Sequence, residues 1–509
     1  MSKQSKKSRP IKQLLASVAL AGGLALLLLL QPGLLIPGSS GPAGGVSGLG
    51  SSFARAQPSP PEQLRFRSRP DLSVPAVEVD VPARRAAPGY VFMAPKSDGP
   101  MIVDNRGNLV WYREGKTSNF RAQKFRGKPV LTWWEAPAGN QKRPTYVIAD
   151  KRYRTIRRFK AGNGYGGDLH EFLLLPNGHA MITAYYAVDR DLSSLGGRSD
   201  GVVLDSIAQE VDVDTGRVVW EWHSLDHVPL RESFHSAAQD PDSPYDYFHI
   251  NSVSPTPDGN VLISGRDTWT VYKVSRHTGK IIWRLGGKRS DFRLGKGAKF
   301  AWQHDADLES PRRLALFDNR DAPPAPKPFS KQSRGLVLRL KWGKRRATVQ
   351  RRYVRPESVL ATTQGNIEKL SNGNVFVGWG SVSYCSEFSP KGKVLFDAEF
   401  LSRDSSYRCF RMPWVGRPAA RPAIASEDAA GGTLKAWASW NGDTRVATWR
   451  LLAGPSKKAL DPVGTARRNG FETAVTAKAK GKFVQMEGLA RNGAVLGRTA
   501  VTRVGEQSR

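Results

Sequence analysis

The chain has 509 residues, with 77 Lys and Arg against 45 Asp and Glu, a formal net charge of +32 and two cysteines. That length accommodates two or three domains, and two cysteines alone cannot build a structural zinc site. The basic residues are scattered, and no helix-turn-helix, zinc-finger or RNA-recognition signature accompanies them. This argues against nucleic acid, and a high-GC coding composition or attraction to an anionic surface or substrate explains the charge equally well.

Lys3, Lys6, Lys7, Arg9 and Lys12 precede an uncharged apolar run over residues 14–30. Such a segment is expected to export the chain as a signal peptide or to hold it as an uncleaved membrane anchor, leaving the remainder extracytoplasmic. An Ala-x-Ala pattern at Ala54–Ala56 lies too far beyond the run to be its cleavage site. Residues 1–37 are assigned to this signal or anchor. Residues 38–87, rich in Pro, Gly, Ser and Ala, are assigned to a spacer.

From residue 88 helical periodicity is nearly absent. Short β-branched and aromatic runs alternate with Gly, Asn, Asp and Pro turns, which predicts an all-β fold. The runs repeat. PDGNVLISGRDTWTVYKVSRHTGKIIWRLGG from Pro257 parallels SNGNVFVGWGSVSYCSEFSPKGKVLFDAEF from Ser371, and TGRVVW at Thr215 is nearly copied by TGKIIW at Thr278. LPNGHAMITAYY from Leu175 opens a further unit. Three or four antiparallel strands per unit make a propeller blade. We expect a six-bladed β-propeller over 88–416, with SYRCFRMPW from Ser406 closing the ring beside the strands of 89–113. RPAARPAIASEDAAGG opens a linker over 417–432. Residues 433–509 read as a small fibronectin-III-like β-sandwich. That module holds neither His nor Cys and is assigned to packing or positioning.

Aligning the turns gives inner-strand starts near Asn119, His170, His249, His304 and Gln364. Equivalent starts face one mouth of a propeller channel, so three of the eight histidines should converge. His249 and Asn251 stand at i and i+2, which points two polar side chains to one side of a strand. Arg266, at the far end of that strand or on its turn, would neutralise an anionic substrate, or simply pair with Asp267 or Asp305. Three histidines also suggest zinc, but no local HxH or HExxH supports a metal. His223, His227 and His235 lie in the insertion EWHSLDHVPLRESFHS, as loop residues near one face that suit a lid. His179 and His277 read as surface turns. Cys385 and Cys409 lie in strand-like segments of one sheet region. In an oxidising compartment they predict a disulfide, with two buried free thiols as the alternative.

YFHINSV, SGRDTWTVYKV, WRLGGKRSDF, FAWQHDA and DLHEFLLLPNGH resemble the motifs of the bacterial arylsulfotransferase (aryl sulfate sulfotransferase) family, in its actinobacterial-type branch. The resemblance runs from about Gly89 to Trp414. It implies a six-bladed propeller that moves a sulfuryl group from a phenolic sulfate donor to a phenol acceptor, with no nucleotide donor and no soluble cofactor. It places the nucleophilic histidine on His304, the sulfate-binding pair on His249 and Asn251, the arginine on Arg266 and a further active-site histidine on His170. The strand after His304 reads ESPRRLALF where an LPNG-like turn is expected. Tyr185, Tyr186, Trp269 and Trp302 are the candidates for an aryl-binding wall. A neutral imidazole is a competent nucleophile towards sulfur, and a protonated His170 or His249 would serve as general acid. Two other readings compete: a non-catalytic basic propeller that binds anionic cell-surface polysaccharide, and a quinone- or metal-dependent propeller oxidoreductase.

Overall fold

The computed structural model describes residues 62–506 apart from 97, 140, 239–241, 321–331 and 403. The signal or anchor segment over 1–37 lies outside the described residues. No helix among the described residues is long and apolar enough to cross a membrane.

The described chain is all-β, broken only by short 3-10 turns. Six sheets follow one another between Tyr90 and Met412. Their first strands are β1 (Thr117–Phe125), β2 (Gly166–Leu174), β3 (Ile250–Pro255), β4 (His304–Ser310), β5 (Asn366–Lys369) and β6 (Phe410–Met412). In the first five sheets the chain then zigzags outward through antiparallel neighbours. Tight turns make this zigzag, with Gly178, Gly259 and Gly373 taking the left-handed backbone (φ +87, +78 and +85) that a side chain would strain. The departure after His304 changes little, since β4 and Arg313–Asp318 still meet in a hairpin around Pro311 and Arg312.

Apolar residues fill the spaces between sheets, and these spaces close a ring. Met181, Val253, Ile263 and Tyr272 pack the second sheet on the third, and Leu262, Val271, Leu316 and Leu336 the third on the fourth. Phe317, Val337, Val377 and Phe388 join the fourth to the fifth, and Phe376, Phe396, Val91 and Met101 the fifth to the sixth. Phe92, Ile102, Phe120 and Val147 return the sixth to the first. Two-sided burial of this kind explains runs such as Val261–Gly265, in which every residue is buried.

Ring closure joins distant parts of the chain. β6 pairs antiparallel with Tyr90–Met93, so the sixth sheet combines the end of the ring with its beginning. Val77–Val81 adds a fifth strand to the fifth sheet by pairing with Val394–Phe400. The spacer expected over 38–87 is therefore corrected within its described part. Alternating VEVDV offers valines to the apolar cluster there, and Val77 and Val79 pack against it.

The linker expected over 417–432 is corrected too. Ala423–Ala429 is a strand, paired with Thr433–Ser439, which in turn pairs with Glu472–Lys478. A second sheet holds Ala459–Arg467, Thr448–Ser456, Phe483–Leu489 and Val495–Arg498. The two sheets share Ile424, Leu434, Trp449, Leu451, Val475 and Met486 as one core. In this strand Ile424, Ala425 and Ser426 are buried in succession, with no alternation to mark a strand against the Pro- and Ala-rich composition.

The predicted disulfide between Cys385 and Cys409 is not formed. Both are free, buried thiols, packed in the apolar cluster between the fifth and sixth sheets. A hydrogen bond from Cys409 and then burial push the Cys385 thiol well above its usual range. Protonated thiols in such surroundings act as small apolar packers.

Candidate active site

Three histidines from three sheets come together. His170 lies in β2, His249 immediately precedes β3, and His304 opens β4. The His170 and His249 rings stand edge to face with centroids 5.0 Å apart. Tyr407 lies against two of the three, 5.2 Å from the His170 ring and 6.2 Å from that of His304.

The shared register expected from the turns is only partly right. A left-handed backbone falls on Asn119, His249 and Gln364 (φ +55, +52 and +66), but in the fourth sheet it falls on Asp305 (φ +52), one residue after His304. Ladder shifts between Gly167 and Phe172, Ile250 and Ser252, and His304 and Asp307 re-aim the side chains at each strand start. The same irregularity separates His249 from Asn251, so the two-residue period that would aim them together does not apply. Asn251 is fully buried. Its Nδ2 donates to the Gln303 carbonyl at 2.7 Å, as Asn366 Nδ2 donates to the Cys409 carbonyl at 2.7 Å. Each asparagine thus pins the next sheet, and Asn251 fixes the residue before His304.

Each imidazole has a different electrostatic setting. His170 Nδ1 is held by Asp168, whose carboxylate also accepts Thr183 Oγ1 at 3.0 Å. His249 Nδ1 meets Asp246 Oδ2 at 2.5 Å. Burial alone would depress the pKa of His249, but the charge and hydrogen bond of Asp246, with Asp267 beyond, hold it above the usual value. His304 is 1% exposed. Its Nδ1 faces two acceptors, Asn319 Oδ1 at 2.8 Å and the Trp302 carbonyl at 3.1 Å. Asn319 spends its amide hydrogens on the carbonyls of Ala361 and Gln364, which fixes its oxygen toward the ring. Nδ1 therefore carries the proton and Nε2 the lone pair, which accepts the Gln364 amide at 3.1 Å. Burial first, then the positive charge of Arg266 and of the neighbouring histidines, pushes the pKa of His304 well below the usual value.

Arg266 follows the strand Val261–Gly265, with its amide donating to the His249 carbonyl at 3.0 Å. Its guanidinium pairs with Asp267 at 2.6 Å and lies over the Trp302 ring at 4.9 Å. Trp269 stands edge to face with Trp302 at 5.2 Å, and Phe234 stacks on Trp269 at 3.7 Å. Tyr185 is 6.3 Å from both His170 and His249. Tyr186, by contrast, is 54% exposed beside Tyr165. The aromatic border is therefore Tyr185, Trp269 and Trp302, with Phe234 added from the insertion.

The other histidines divide. His235 reaches Asp267 at 3.6 Å, at the edge of the site. His223 ends the strand Val218–His223, a correction to its loop assignment, and hydrogen bonds that its ring donates to Asp205 and Glu221 raise its pKa to about 9 against its burial. His227 stacks on Trp222. His179 Nδ1 lies 2.6 Å from buried Glu210, and His277 is exposed.

Sequence reasoning missed the supporting residues. Asp168 and Asp246 stand two and three positions before their histidines, a local signal that was readable. Asn319, Tyr407 and Arg408 reach the site from 15 or more positions away and leave no local trace.

The sequence profile of the arylsulfotransferase (ASST) family matches residues 121–401. No curated protein matches the chain. Similar solved structures include a protein of unknown function from Bacteroides caccae, 11% identical over 64% of this chain and 98% of that one, with a TM-score of 0.39. Virginiamycin B lyase from Staphylococcus aureus is 10% identical over 71% and 94%, with a TM-score of 0.29. Hydrazine synthase from Kuenenia stuttgartiensis is 13% identical over 61% and 78%, with a TM-score of 0.30.

Proposed function

Because the chain belongs to the arylsulfotransferase (ASST) family, we propose that it moves a sulfuryl group from a phenolic sulfate ester to a phenol through His304, with no nucleotide donor. The observation that supports this most is the opposed tuning of two neighbouring imidazoles. His304 is kept neutral, while His249 is held in favour of its proton. Environments that push two titratable groups apart suit one to act as nucleophile and the other as acid.

His304 Nε2 attacks sulfur as the bond from sulfur to the phenolic oxygen breaks. The proton on Nδ1 stays with Asn319, and His249 gives its proton to the leaving phenolate. Arg266 stabilises the sulfuryl oxygens, whose charge persists through the step. A second phenol then takes the sulfuryl group from nitrogen and returns a proton to His249. Asn251 contributes by holding the Gln303 carbonyl. Trp302, Trp269 and Tyr185 supply the apolar border for the aryl rings. For Nε2 to attack, it must exchange the Gln364 amide for substrate. The basic and apolar N-terminal segment supports a site of action outside the cytoplasm, where nucleotide donors are scarce.

The same Gln364 hydrogen bond, with the net charge of +32, favours a second reading, a non-catalytic propeller that binds anionic polysaccharide. Turnover of a chromogenic aryl sulfate in the presence of added phenol separates the two. Phenol-dependent release is expected. Tight binding of a polyanion with no release from any aryl sulfate would favour the second reading.

A further inference from the structure

A single guanidinium connects the strands that carry the histidines. Arg408 is fully buried and lies just before β6, the strand that closes the ring. Its Nη1 donates to both oxygens of Glu171, each at 3.1 Å, and Glu171 is the residue after His170. Its Nη2 donates to the Asn251 carbonyl at 3.1 Å and pairs with Asp305, the residue after His304, at 3.3 Å. Tyr407 adds a second hydroxyl donor to the Asn251 carbonyl at 3.1 Å, and its own carbonyl accepts the Gly365 amide at 3.0 Å. The segment 407–408 therefore touches β2, β3, β4 and the start of β5 at once.

We propose that Arg408 is a positioning residue, which sets the spacing of His170, His249 and His304 by holding Glu171, the Asn251 carbonyl and Asp305 on one planar fork. Ladder shifts at the starts of β2, β3 and β4 leave these segments without regular pairing. Apolar packing by Phe172, Phe248 and Ile250 holds each sheet against its neighbour, and Arg408 is a polar tie that spans several strand starts at once. A guanidinium with several donors in a fixed plane ties three strands at defined angles, which a lysine ammonium, a point charge on a flexible stem, does not. The two carboxylates that it neutralises lie next to two of the three histidines, so a shift of the fork moves both rings. Arg121, 2.9 Å from Glu171, extends the same network to β1.

The proposal rests on the sulfuryl-transfer reading for its kinetic arm, and its spectroscopic arm is independent of turnover. Arg408→Lys keeps the charge and loses the fork. In the folded full-length variant we expect kcat to fall about 10²-fold, the scale of a small misplacement of reacting groups, with KM for the aryl sulfate nearly unchanged. The imidazole NMR signals of His170 and His304 should shift together, while that of His277, exposed and remote in the fold, stays in place. Should Arg408→Lys not fold, the charge-balanced pair Arg408→Gln with Glu171→Gln carries the same measurements. Unmoved signals of His170 and His304 in a folded variant would overturn the proposal whether or not the protein turns over. Wild-type kcat in that variant would overturn it equally. A wild type that transfers no sulfuryl group, with signals that still shift in the variant, would sink only the functional reading.

Discussion

Asn319 Oδ1 lies 2.8 Å from His304 Nδ1, and both amide hydrogens of Asn319 are committed to backbone carbonyls. The amide therefore cannot turn, and the ring keeps its proton on one nitrogen. An uncharged partner orients the imidazole and favours its cation too weakly to offset burial and Arg266, unlike the carboxylate behind His249.

Asn319→Asp should convert His304 into a third carboxylate-backed histidine. The new charge favours the imidazolium and raises its pKa. The neutral fraction then falls in mild acid, and the phenol burst should lose about tenfold in rate for each pH unit below the new pKa. Stopped-flow release from a chromogenic aryl sulfate, followed from pH 5 to 8, reads this directly. A profile identical to that of the wild type would show that Asn319 does not govern the ring.

The wild-type burst should have the opposite limb. The pKa of His249 is raised, so its proton is present below that value and lost as the pH rises through it. The pKa of His304 lies well below the usual value of about 6.5, so its lone pair is available from neutral into mildly acid solution. The burst rate should be flat on the acid side and decline on the alkaline side. Asp246→Asn removes the charge that raises the pKa of His249 and should move the decline to lower pH. A decline that Asp246→Asn leaves in place would assign the acid to another group.

His304→Asn should abolish the burst, since an amide has no nucleophilic nitrogen. With donor and no acceptor, the wild type should gain one acid-labile sulfuryl group on the peptide containing His304. Arg266→Ala should fold and lose about 10²–10³ in turnover, the usual consequence of removing one preorganised donor. Mass spectrometry that finds the label elsewhere would move the nucleophile from His304.

Cys385 and Cys409 should both be inert to thiol reagents in the native protein, because both are buried. Unfolding without reductant should expose two reactive thiols per chain. Finding none under those conditions would establish a disulfide in the purified protein.

The blade repeat was legible because tight turns and β-branched runs are dictated by local chemistry. His170, His249 and His304 were legible as a set because the repeat itself brings strand starts together, and Arg266 joins them because the next strand, Val261–Gly265, returns it to His249. The aim of each side chain was not. A bulge adds a residue without changing composition, and this moved His304 one position out of register and turned Asn251 into the next sheet. Val77–Val81 was hidden for a different reason. Its partner Val394–Phe400 lies more than 300 residues away, and no local pattern specifies a pairing at that separation. Arg408 was invisible on the same ground, as its meaning lies in four strands that other parts of the chain supply.

The pairing of β6 with Tyr90–Met93 has a consequence for how the molecule is made. Its two halves emerge from the ribosome at opposite ends of the ring-forming segment, with Arg408 in the later half. Pairings of such sequence separation raise contact order and slow folding, and the closing strand cannot dock until nearly all six sheets exist. The histidines can reach their final spacing only after that event. A nascent or truncated chain ending before Tyr407 would carry every proposed reacting group and still lack the site.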